Sequence, residues 1–183
     1  MIFFQNISEG KGYVTNNDGS TALVLASSKG NLEVMKFLFE LRADIDAADK
    51  DREIALLTAS GSGHLEVVKY LIEKGADVNA ADELGRTALL NASRDGYLGV
   101  VEYVIEKGAI VDAADACGRT AFLNAAENGH VKILECLIEH GADVNAVDED
   151  GSTALRLAVE KGRLEVVKFC SKNAKWNANS QRH

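Results

Sequence analysis

The chain contains no proline. Its helices must therefore begin without the preset φ that proline supplies at a first helical turn. Cysteine is scarce and odd in number: Cys117, Cys136 and Cys170 fit no disulfide framework, and such usage suits a reducing compartment. Basic residues are in deficit, with 20 Lys and Arg against 28 Asp and Glu and a formal net charge of -8. That balance disfavours general nucleic-acid binding, which depends on neutralising phosphates, and docking on an acidic membrane surface. No apolar run is long enough to cross a bilayer. The segment Met1-Ile2-Phe3-Phe4-Gln5 is too short for a signal peptide and has no basic residue before it. The Asn6-Ile7-Ser8 sequon is accordingly expected to be a chance match. A cytoplasmic or other reducing intracellular location is the expectation, with no membrane and no nucleic-acid partner.

Catalytic constellations are missing too. Cys136 and His140 are spaced i, i+4 with His130 nearby, yet Cys136 falls in register with Phe37, Tyr70 and Tyr103, a packing place rather than a metal site. Glu9-Gly10-Lys11-Gly12 lacks the spacing of a phosphate-binding loop. Acidic neighbours such as Glu149 and Asp150 sit in solvated loops, where no burial would tune a catalytic pKa. No serine or cysteine has an identifiable base beside it. The expectation is a non-enzyme without metal or cofactor.

What the chain does have is a period. Gly19-Ser20-Thr21-Ala22-Leu23, Arg52-Glu53-Ile54-Ala55-Leu56, Gly85-Arg86-Thr87-Ala88-Leu89, Gly118-Arg119-Thr120-Ala121-Phe122 and Gly151-Ser152-Thr153-Ala154-Leu155 recur at intervals of 33 residues. A constant interval of this length specifies a stacked array. With 46% hydrophobic residues the core is a seam between neighbours rather than one central knot.

The third unit shows what each repeat builds. Thr87 caps a short helix through Ala88, Leu89, Ala92 and Ser93, its hydroxyl accepting from an orphan amide. Gly96 ends it. A second helix is predicted from about Leu98 to Glu106, with Val100, Val101, Val104 and Ile105 at helical spacing, and Gly108 ends that one. A turn-rich loop follows, read in the next unit as Asp143-Val144-Asn145-Ala146-Val147-Asp148-Glu149-Asp150-Gly151. Ala26, Ala59, Ala92, Ala125 and Ala158 recur on the first helix, where a small side chain lets neighbouring helices approach. One unit cannot bury its apolar stripe alone; five can.

These units resemble ankyrin repeats. The likeness rests on Asp-x-x-Gly-x-Thr-Ala-Leu, on His64-Leu65-Glu66-Val67-Val68 and on Gly75-Ala76-Asp77-Val78-Asn79-Ala80, and covers roughly residues 16 to 178. It implies an all-α repeat solenoid of helix-turn-helix units with protruding β-hairpin-like loops. The expected divisions are an N-terminal extension or cap at 1–15, units at 16–48, 49–81, 82–114, 115–147 and a contracted 148–178, and a tail at 179–183.

The chain departs from the family's pattern in places. Val24, Leu57, Leu90, Leu123 and Arg156 stand where the family's Thr-Pro-Leu-His carries histidine, so loop ordering is expected to rely more on packing. Arg42 replaces a glycine at a cost of about 1–2 kcal/mol if the left-handed conformation is kept. Arg52 replaces another glycine and Ile54 the capping threonine, for roughly 1 kcal/mol more. The seam between units one and two is therefore expected to be the weakest. Ile2, Phe3 and Phe4 are expected to cover the first unit's edge. Asn173 takes the last unit's glycine place, and Ser171 and Lys172 give that unit a polar face.

In the resembled family, partners bind a concave face made by loop tips and the outward side of each first helix. Here the tips are Lys50, Asp51, Glu53, Glu83, Leu84, Arg86, Ala116, Cys117, Arg119, Glu149, Asp150 and Ser152; the helix positions include Gly61, Ser62, Arg94, Asp95, Glu127 and Asn128. These positions vary between repeats while scaffold positions do not. A central patch of Leu84, Arg86, Arg94, Cys117 and Arg119 is expected, with arginine and apolar anchors at its energetic centre. Exchange of Arg86 and Arg119 for alanine is expected to weaken binding at unchanged melting temperature. Asn79 and Asn145 fill the loop place that asparaginyl hydroxylases modify in the family; turn formation is the simpler role. The implied function is a protein-binding adaptor, expected to be monomeric. A dedicated enzyme inhibitor using the same face and a scaffold without natural partner are the alternatives. The uneven repeats argue against the last.

Overall fold

The computed structural model describes residues 22–40 and 54–172. Ile2, Phe3, Phe4, Arg42, Lys50, Asp51, Arg52, Glu53 and Asn173, to which the sequence assigns roles, lie outside these residues. Within them the chain forms five helix pairs: α1 (Ala22–Ser28) with α2 (Leu32–Glu40), α3 (Ala55–Gly61) with α4 (Leu65–Glu73), α5 (Ala88–Asp95) with α6 (Leu98–Glu106), α7 (Ala121–Asn128) with α8 (Val131–Glu139), and α9 (Ala154–Glu160) with α10 (Leu164–Lys172). Each helix touches its own partner and the equivalent helix of the next unit. This is an all-α stack, and the predicted second helix of the third unit has the bounds that its valine spacing indicates.

Helix starts follow from side-chain chemistry. Thr87, Thr120 and Thr153 take extended backbone, and their hydroxyls accept from the amides of Leu90, Leu123 and Arg156. Ile54 has the same extended backbone but offers no oxygen, so α3 begins uncapped. Gly96 shows why the first helix ends in glycine. Its φ is +89°, and a Cβ there would come within 2.6 Å of the His130 ring in the next unit. The residue answers both a left-handed backbone and a close approach.

The seam is built on the first helices. Ala26, Ala59, Ala92, Ala125 and Ala158 are all buried, together with Leu23, Leu56, Leu89 and Phe122. First helices pack against one another more extensively than second helices do. A stack tighter on one side curves toward that side, which makes the face of first helices and loops the concave one.

A second row of bonds ties units together. A ring nitrogen of His64 lies 3.2 Å from the Ser28 carbonyl, and one of His130 lies 3.0 Å from the Arg94 carbonyl. Arg163 Nε donates to the Glu127 carbonyl at 2.9 Å. In each case the residue just before a second helix satisfies a carbonyl at the C-terminal end of the preceding unit's first helix, where intrahelical donors have run out.

Two features generate stability predictions. The buried hydroxyls of Ser60 and Ser93 find no partner among the described residues, whereas Ser27 in the same register bonds the Leu23 carbonyl at 2.8 Å. The fourth unit places fully buried Ala126 there. An unpaired buried hydroxyl is costly, so Ser93→Ala is expected to raise stability by up to about 1 kcal/mol. A denaturation midpoint at or below that of the parent chain would mean the hydroxyl is satisfied in solution. Supplying the missing cap with Ile54→Thr is expected to gain about 1 kcal/mol. Amide exchange should then slow in α3 while α9 is unaffected.

Candidate functional site

The loops that edge the concave face are held by aspartates. Asp82 Oδ1 accepts from the amides of Leu84 and Arg86 at 3.0 and 2.9 Å. Asp115 does the same for Cys117 and Arg119, both at 2.9 Å, and Asp148 for Asp150 and Ser152 at 3.1 and 2.7 Å. Antiparallel bridges Ala81–Thr87, Ala114–Thr120 and Val147–Thr153 close the bases of these loops. Successive loops are also joined by backbone: Ala116 N donates to the Leu84 carbonyl at 2.8 Å, and Glu149 N to that of Cys117 at 3.0 Å. At Gly118, with φ +72°, a Cβ would stand 3.0 Å from the Glu149 amide nitrogen. Hydrogen bonds thus order these loops where the family's histidine is missing.

This scaffold displays some of the anticipated side chains and ties down others. Leu84 is 55% exposed although apolar. Cys117 is exposed at the neighbouring tip, and Glu83, Glu149 and Asp150 are exposed around them. Burial pushes the Cys136 and Cys170 thiols up, which leaves them poor nucleophiles. The Cys136 Sγ lies 3.9 Å from His140 Nδ1, but that nitrogen sits closer, 2.8 Å, to the Cys136 carbonyl. This is a helix-end contact.

Arg119 differs from the other patch residues. One terminal nitrogen pairs with Glu127 at 2.5 Å and Nε with Asp148 at 3.0 Å. It thus links the fourth unit's loop, the inner helix α7 and the fifth unit's loop. Lys161 reaches the same Glu127 at 3.3 Å. Arg86 pairs through Nε with Asp82 at 2.5 Å. Arg94 grips Asp95 with two nitrogens at 3.1 and 2.9 Å. Asn128 donates back to the Asn124 carbonyl at 3.0 Å. The expectation that Arg86 and Arg119 both serve a partner without structural consequence needs correction for Arg119, because its charge bridges two units.

The loop asparagines divide as well. Asn79 clamps the next unit: its amide donates to the Gly108 carbonyl at 3.2 Å and its carbonyl oxygen accepts from Ile110 N at 2.9 Å. Asp112 repeats half of this by accepting from Asp143 N at 2.9 Å. Asn145 is exposed, and its backbone amide donates to the Asp143 carboxylate at 2.9 Å. The roles of Asn79, His64, His130 and Arg119 were hidden in the sequence, since each partner lies in another unit or on the far side of a loop.

The outer faces of the second helices carry i, i+3 ion pairs, Lys36–Glu33, Lys69–Glu66, Lys132–Glu135 and Lys168–Glu165, at 2.7 to 2.8 Å. They form a solvated surface where such pairs contribute little. Among the described residues no helix is long and apolar enough to cross a membrane.

Arg119→Ala would leave the Asp148 carboxylate, whose side chain is 3% exposed, without its cationic partner and with only its two loop amides. A loss of about 1–3 kcal/mol is expected, with faster amide exchange in α9 and α10 than in α3. Equal protection in the variant and the parent would show that the tie contributes nothing.

Comparison with family models gives a consistent answer along the chain. Models described as ankyrin repeats in three copies match residues 41–115 and 109–180. A model of ankyrin repeats in many copies matches residues 11–59. None of the curated proteins compared with the chain matches it. Ankyrin repeats generally mediate protein–protein interaction and are typically non-enzymatic. With helix pairs, seam and loops all repeating in this register, the chain belongs to the ankyrin-repeat family.

Proposed function

We propose that this chain is a protein-binding adaptor that works through its concave face in a reducing compartment. The observation that carries the reading is the exposure of Leu84 and Cys117 on adjacent, hydrogen-bonded loop tips. An apolar side chain held out on a rigid loop loses little conformational entropy on binding, and such anchors dominate interface energetics. Around them stand Glu83, Arg86, Arg94, Asp95, Glu149 and Asp150, a charged rim of both signs. Mixed charge steers and orients a partner more than it adds affinity. Glu127 and Arg119 support the rim through their ion pair. The solenoid supplies no nucleophile with an activated base among these residues, and a rigid groove needs none.

Affinity capture with mass spectrometry tests the reading by comparison. Three baits are needed: the intact chain, a tip variant carrying Leu84→Ser with Cys117→Ser, and a convex-face variant carrying Glu66→Ala with Glu102→Ala. Proteins held by the intact chain and the convex variant but lost by the tip variant are the expected result. Retention by the tip variant with loss by the convex one would place recognition on the outer face and overturn the reading.

A further inference from the structure

Between the second and third units, the concave side holds a cavity of about 180 Å³ whose lining includes Gly61, Ser62, Asp82, Arg86, Asn91 and Arg94. Gly61 contributes the absence of a side chain to it. At the register of Gly61 the other four units carry Ser28, Arg94, Glu127 and Glu160. Gly61 is the last residue of α3 and is absent from the positive-φ glycines, so its backbone does not require glycine. Crowding does not require it either: a Cβ there would meet Asp95 Oδ2 at 3.4 Å and Asn91 Cβ at 3.5 Å, ordinary contacts. Glycine at an unstrained helical position weakens the helix relative to alanine. What it leaves here is space.

The one carboxylate in the wall of that space is already engaged. Both oxygens of Asp82 are occupied, Oδ1 by the amides of Leu84 and Arg86 and Oδ2 by Arg86 Nε. The Asn91 amide nitrogen is directed to the Leu57 carbonyl at 3.4 Å. Arg94 commits Nε and one terminal nitrogen to Asp95. The guanidinium donors left over are the two terminal nitrogens of Arg86 and the other terminal nitrogen of Arg94, which have no acceptor among the described residues. Two guanidinium groups with donors to spare suit a carboxylate, whose paired oxygens match their planar fork. The volume falls below the roughly 300–1,000 Å³ of pockets for small-molecule ligands, and suits one inserted side chain.

We propose that this cavity is an anchor site for an aspartate or glutamate side chain presented by the protein partner. It rests on the protein-binding reading above and adds to it the chemistry of one contact. The acidic group enters over Gly61, accepts from Arg86 and Arg94, and is oriented by the fixed Asp82 and Asp95 carboxylates, which hold both arginines in place. Leu84, two residues from Arg86 on the loop tip, supplies the adjoining apolar contact.

A displayed library of random peptides, panned against the full chain, provides the probe. Peptides sharing an acidic residue are expected to be enriched, with affinity falling at least about tenfold when that residue becomes its amide. Gly61→Leu, which fills the cavity and favours the helix, should cause a similar loss at an undiminished melting temperature. Arg94→Gln should do the same by removing charge, and added salt should weaken binding to the parent chain. Peptides that bind without an acidic residue, or whose binding survives both substitutions, overturn the inference and leave the protein-binding reading standing. Enrichment of nothing also overturns it, while the capture comparison with the tip variant judges the broader reading by itself.

Discussion

A short helix pair with one apolar stripe has nowhere to put it, and among the described residues its cover is the next pair. Close contact between first helices is therefore the constraint on which everything else depends. It is met by a buried alanine in each unit, from Ala26 to Ala158. A larger residue in that row would push two helices apart and open the seam along its length, since interiors are packed like crystals. The tight row also sets the curvature, and curvature decides which surface becomes a groove.

Once the helices are stacked, their exposed ends and the loops between units must still satisfy their backbone groups. The chain does this with a few polar side chains used repeatedly. Asp82, Asp115 and Asp148 each collect two loop amides. His64, His130 and Arg163 each reach a carbonyl of the preceding unit. Because these bonds fix the loop backbones, tip side chains such as Leu84 and Cys117 are freed from structural duty. Leu84 and Cys117 can be exposed without loosening the fold, and the glycine at 61 can leave a cavity without disturbing the helices around it.

Much of this was legible beforehand because it is local. Thr87 caps α5 through an amide three residues on, and the valines of α6 bury the stripe their spacing describes. Gly96 adopts the left-handed conformation read from its place after a helix. Other features gave no such signal. Arg119 resembles Arg86 in motif and position, yet one bridges to the next unit's Asp148 and the other stays on its own loop's Asp82. The difference lies partly in Glu127, which draws the Arg119 side chain along α7; Arg94 occupies that register in the third unit and would repel Arg86. Asn79 likewise reads as a turn residue, although its amide group spans to the next unit's helix end.

The amino-acid sequence by itself determined the repeat and the family, because the 33-residue period is written in it, and the threonine caps and the bounds of α6, because these depend on residues within a turn or two of one another. Only the tertiary structure decided which charged side chains are ties between units, which retain donors unpaired among the described residues, and where the concave face opens into a cavity. The ties between units depend on partners 29 to 36 residues away, brought within hydrogen-bonding reach only when one unit's helices close over the next.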